Sequence, residues 1–128
     1  MNKIFRQDKN GKTINQEEKR MITIMYDRVR HELIVEGHAD HDAKGKDIVC
    51  SAVSMLVNTL GRTIKDMKHE KKLKKAYVRI EPGYAELRCK PIKSFKPNLT
   101  LILDSSFKTL GALQTGYPEC VEAWIREK

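Results

Sequence analysis

A chain of 128 residues can bury one modest core and is too short for two, and its 40% apolar and 33% charged content suits a single soluble domain. No apolar run approaches the roughly 20 residues that span a bilayer, and MNKIFRQDKN lacks the apolar core of a secretory signal, so a cytoplasmic protein with no membrane partner is the default. The three cysteines, Cys50, Cys89 and Cys120, form no CxxC and argue against a disulfide framework or a structural zinc site, while a net charge of +8 suits phosphates or acidic partners.

Residues 1–20 are polar, carry a net +3 and hold one turn signal, Asn10-Gly11, so they read as a flexible arm ahead of a single domain over 21–128. From Ile22 the pattern alternates, with Ile22, Ile24 and Tyr26 on one strand face, then a polar turn, then Leu33 and Val35 on a second strand that ends at His38. Both strands are rich in β-branched residues. After a polar loop, Val49, Ala52, Val53, Leu56, Leu60, Ile64 and Met67 recur at helical steps. Asp47 precedes that stripe and suits an N-cap, which makes Cys50 the third residue of the helix. The helix runs out in KHEKKLKK, within a segment of seven lysines and arginines against Asp66 and Glu70 (residues 61–76), where cations complement its negative end.

A second hairpin follows, with Ala76, Val78 and Ile80 alternating on one strand and Ala85, Leu87 and Cys89 on the next. The turn Glu81-Pro82-Gly83-Tyr84 joins them, glycine supplying the positive φ. A helix from about Pro97 to Gln114 carries Leu99, Ile102, Leu103, Phe107, Leu110 and Leu113 on one side, and Gly116 ends it. YPECVEAWIREK suits either a strand or a last helical turn. Hairpin, helix, hairpin, helix predicts an α+β fold: a mostly antiparallel sheet of four to five strands with two helices on one face.

The chemistry centres on GHADHDAKGKDIVC, residues 37–50. A cysteine near a helix start faces free N–H groups and the positive end of the macrodipole, which favour a thiolate, and those amides can also hold an oxyanion. Cys50 is thus the candidate nucleophile and His38 its proton acceptor. Asp47 is a third member or only the helix cap. Ser51, Gly37 and Ala39 adjoin the pair as candidate substrate-binding and oxyanion residues. From spacing alone, a lone histidine and cysteine are more often structural than catalytic. His38, His41 and Cys50 could instead bind a metal, a weaker alternative, since His-x-x-His suits zinc. His31 and His69 lie in polar surroundings and read as surface residues. No cofactor is expected. The basic segment supports another reading, a non-catalytic module that binds RNA or the ribosome.

MITI, Gly37-His38-Ala39, Gly45, Asp47-Ile48-Val49-Cys50 and Ala52-Val53-Ser54 together resemble the ribosomal-processing cysteine protease family Prp, in a layout that reaches the Tyr117-Pro118 pair. The resemblance implies a cytoplasmic, homodimeric cysteine endopeptidase without a metal, with Cys50 and His38 as a dyad. It implies a substrate that is the N-terminal extension of a large-subunit ribosomal protein, cut after an aromatic pair. Phage-encoded relatives process capsid or scaffold proteins instead. The loop carrying Asp40, His41, Asp42, Gly45 and Lys46 is implied to move as substrate enters. The 20-residue arm, the basic segment and a short second helix depart from the family pattern.

Overall fold

The structure is a computed structural model that describes residues 5–7, 13–15, 21–39 and 45–128. Phe5–Gln7 (β1) and Thr13–Asn15 (β2) pair antiparallel, Phe5 opposite Asn15, so part of the expected flexible arm is a small two-stranded sheet. The Asn10-Gly11 turn signal lies outside the described residues.

Alternation builds the main sheet. Ile22–Asp27 (β3) and Glu32–Glu36 (β4) bury Ile22, Ile24, Tyr26, Leu33 and Val35 on one face, and Leu73–Glu81 (β5) and Tyr84–Pro91 (β6) add Ala85, Leu87 and Cys89 to it. Each of the large apolar side chains among them contributes roughly 1.5–3 kcal/mol on leaving water. The tail is a strand, Val121–Arg126 (β7), which lies parallel to β3 with Val121 opposite Ile22. The order is β5-β6-β4-β3-β7, antiparallel except at β7. The expected α+β architecture, mostly antiparallel, is the one observed.

Two helices cover the buried face. Lys46–His69 (α1) buries Val49, Val53, Val57, Leu60, Ile64 and Met67. Gly61 belongs to this stripe because Val78 and Ile80 of β5 press on it; a Cβ there would lie 3.0 Å from Ile80 Cδ1. Lys96–Gly116 (α2) follows a short 3₁₀ turn and buries Leu99, Leu103 and Leu110 in the same core, two residues longer at its end than the periodicity indicated. Tyr26 ties β3 to α2: its ring packs on Phe107, and its hydroxyl donates to Asp104 Oδ1 at 2.7 Å. Among the described residues no helix is long and apolar enough to cross a membrane.

His31 corrects the surface expectation. It is buried, with φ +57°, and its Nε2 lies 3.0 Å from Thr100 Oγ1 on α2. The left-handed backbone turns the imidazole inward from a polar turn, which neighbouring residue types cannot reveal. His69 is exposed, as expected.

Candidate active site

The start of β3, the ends of β4 and β5, the turn into β6, and the second to fourth turns of α1 line an open cavity of about 340 Å³. His38 and Cys50 both line it. Its apolar walls are Ile22, Val35, Val53, Val57, Ile80 and Ala85, and its polar groups include Ser54, Asn58, Glu81 and Tyr84. Helical spacing explains the α1 contribution. Cys50, Ser54 and Asn58 stand four residues apart, and so do Val53 and Val57, so one side of the helix faces the cavity. Ser54, a small neighbour of Cys50, suits the approach of a substrate backbone, and the same period extends to Asn58, which nothing in the sequence marks as a site residue.

Backbone contacts hold His38 at the cavity rim. Gly37, with φ +101°, has its N–H donating to the Gly83 carbonyl at 2.9 Å, which clamps the end of β4 to the Pro82-Gly83 turn. A Cβ on Gly37 would meet the Met21 carbonyl oxygen at 2.3 Å, so only glycine passes there. Gly83, with φ +77°, lies directly beneath the imidazole: a Cβ on it would stand 2.3 Å from His38 Nε2. The turn signal located this glycine by its φ alone, and its contact with His38 is a tertiary fact.

The start of α1 differs from the expected cap. Gly45, left-handed at φ +83°, is the N-cap, and its carbonyl accepts the first helical bond from Val49 N–H at 2.9 Å. Asp47 is therefore the second residue of the helix and caps nothing; it is exposed, does not line the cavity, and complements the helix dipole from the first turn. Cys50 is the fifth helical residue and not the third. The amides without a helical acceptor are those of Gly45, Lys46, Asp47 and Ile48, about one turn before it. Tyr117 accounts for the choice of glycine, since its ring covers Gly45 and a Cβ there would lie 2.3 Å from Tyr117 Cε1. Gly45 and Lys46, expected in the loop between the motifs, stand as the N-cap and first residue of the helix.

Gly37 lines the cavity. Ser51 does not, because it lies about 100° around the helix from Cys50 and is exposed. Ala39 turns into the core and is buried. Asp40, His41 and Asp42 lie outside the described residues, and the metal alternative that used His41 goes with them. Of the remaining thiols, Cys120 is fully buried, and burial pushes Cys89 up to about 12, so it stays a neutral thiol. Cys50 is half-buried and His38 exposed at the mouth, the accessibility that a nucleophile and its base require.

The fold is similar to crystal structures of the essential ribosomal processing protease Prp from S. aureus. The complex with a substrate peptide has a TM-score of 0.62 at 20% identity, covering 83% of this chain and 100% of that one. The complex with a covalently linked product peptide has a TM-score of 0.60 at 21% identity over the same shares. SMU.848 from Streptococcus mutans is similar at a TM-score of 0.61 and 23% identity, covering 84% and 96% of the two chains. No curated protein matches the sequence. The family model for the cysteine protease Prp matches residues 21–122, so the chain belongs to that family and is a cysteine-type peptidase.

Proposed function

We propose that Cys50 and His38 are the catalytic pair of an endopeptidase that trims an N-terminal extension from a ribosomal large-subunit protein. The observation that carries the proposal is that one cavity is lined by both side chains. In this mechanism His38 takes the proton of the Cys50 thiol and the thiolate attacks the scissile carbonyl carbon. The tetrahedral oxyanion forms near the free amides of the first turn of α1 and the positive end of its dipole. Collapse breaks the peptide C–N bond, and the imidazolium returns its proton to the departing amine. Water, deprotonated by His38, then hydrolyses the thioester and restores the thiol.

The cavity favours a large apolar side chain next to the cut. Its walls of Val53, Val57, Ile80 and Ala85 match the aromatic preference that the family resemblance implies, and Ser54 and Asn58 offer hydrogen bonds to a peptide backbone. A protein substrate is also in keeping with the S. aureus structure, which was obtained in complex with a substrate peptide.

The test is cleavage of a peptide spanning an aromatic site near its N-terminus. Wild type is expected to make one cut, and Cys50→Ala and His38→Ala each to lower its rate by at least about a thousandfold. Unchanged cutting by Cys50→Ala overturns the pair. Mass spectrometry of new protein N-termini in cells carrying wild type or Cys50→Ala then separates a ribosomal substrate from a capsid or scaffold protein.

A further inference from the structure

The fold joins two basic segments that are separate in sequence. The first is the end of α1 with the start of β5, where residues 61–76 carry a net charge of +5. The second is residues 90–96, which hold Lys90, Lys93 and Lys96 and no acid. Strand pairing sets Lys75 directly opposite Lys90, and the Ile92 N–H donates to the Lys72 carbonyl at 3.0 Å. Like charges directly opposite destabilise a strand pair unless something neutralises them.

The nearby arginines are already committed. Arg79 pairs with Glu81, and Arg88 with Glu32 and Glu86. Lys72 pairs with Glu70 and lies over the Phe95 ring. Lys71, Lys74, Lys75 and Lys90 are exposed. On the same sheet face as Lys75 and Lys90, and next along β5, stands Tyr77, 46% exposed and opposite Arg88. An exposed aromatic ring on a sheet face, bordered by cations, is a platform on which a base can stack.

We propose that this end of the molecule docks a single-stranded nucleic acid, its phosphates on Lys71, Lys74, Lys75 and Lys90 and a base on Tyr77. The lysines lie at the far end of α1, whose last turn is roughly 27 Å along the helix from Cys50. Tyr77, three residues before the cavity residue Ile80, stands on the sheet face opposite the one that packs on the core. Docking therefore leaves peptide access free and is independent of the catalytic reading.

The experiment measures fluorescence anisotropy of a labelled 20-nucleotide mixed-sequence single strand, as RNA and as DNA, between 50 and 200 mM KCl. Four phosphate contacts predict an affinity loss of about 50-fold across that range. Replacing Lys71, Lys74, Lys75 and Lys90 by Gln should lower the slope of log affinity against log salt by about three. Tyr77→Ala should weaken binding about tenfold at every salt concentration without changing the slope, and Tyr77→Phe should retain it. Thermal melts confirm that each variant folds. Tighter binding of RNA or of DNA supports the site and identifies the source of the strand. Absence of binding at 50 mM KCl, wild-type affinity in the lysine variant, or phosphatidylserine vesicles binding as tightly as the strand with no effect of Tyr77→Ala overturns it.

Discussion

Five described residues have positive φ, and they divide between the two ends of the molecule. At the cavity end they are the glycines Gly37, Gly45 and Gly83; at the far end they are His31 and Lys71. The φ values alone do not explain the division. At the cavity end a Cβ would strike the Met21 carbonyl, the Tyr117 ring or the His38 imidazole, each at 2.3 Å. At the far end the same backbone conformation carries side chains with places to go: His31 reaches Thr100, and Lys71 extends into solvent. Glycine is required where backbone and ring close on the site, and the far end accepts the cost of left-handed backbone.

The strongest break in this pattern is Gly83→Ala. The methyl group would displace the imidazole and also occupy a φ that costs an ordinary residue about 1–2 kcal/mol. A misplacement of 1 Å near the reacting groups costs about a hundredfold in rate. Peptide cleavage should fall by that order, with kcat falling more than KM, while the melting temperature drops only modestly. His38→Ala separates the two effects, since adding Gly83→Ala to it should cost stability but little further activity. A Gly83→Ala variant that cleaves at the wild-type rate would mean that the turn does not position His38.

This division also marks how far the sequence could be read. Strand faces were legible, because Ile22, Ile24 and Tyr26, or Ala85, Leu87 and Cys89, alternate without interruption. The α1 stripe was legible too, but Gly61 was not, since it is buried by side chains of β5 rather than by its own apolarity. At the site, local pattern points to His38 and Cys50 but offers Asp47 as the cap, because carboxylates are common caps and a left-handed glycine N-cap is not. What gives Gly45 and Gly83 their roles is contact with Tyr117 and His38, 72 and 45 positions away in the chain. The parallel placement of β7 was hidden for a similar reason. Alternation in Val121, Ala123 and Ile125 suggests a strand, but only pairing with β3 sets its direction.

At the far end, His31 makes stability depend on pH. Burial holds its pKa below the ordinary 6.5, and Lys96 and Arg28 push it further down against the weaker opposing pull of Asp104 and Asp27. The unfolded chain therefore binds a proton near pH 6.5 that the folded chain refuses. The contribution is complete above that value and is lost as pH falls through it toward the lowered folded pKa. Chemical denaturation at pH 7.5 and 5.5 should show lower stability at the acid value, and His31→Gln should flatten the difference while keeping a hydrogen bond to Thr100. An equally steep pH dependence in the glutamine variant would assign the loss to carboxylates.

The smallest expected effect is a gain. Lys71, at φ +63°, follows the end of α1, where the Lys72 N–H donates to the Met67 carbonyl at 2.9 Å. That is a helix stop in which glycine is the usual left-handed residue. Lys71→Gly removes the steric cost of the side chain, partly offset by the greater freedom of glycine in the unfolded chain, and should stabilise the fold by about 0.5–1 kcal/mol. The melting temperature should rise by a few degrees. The same substitution removes one cation from the proposed docking surface, so the salt slope of single-strand binding should fall by about 0.7. A variant more stable yet weaker in binding would show that the far end keeps a lysine in a glycine position for its charge. Unchanged binding together with higher stability would leave that lysine without a role in docking.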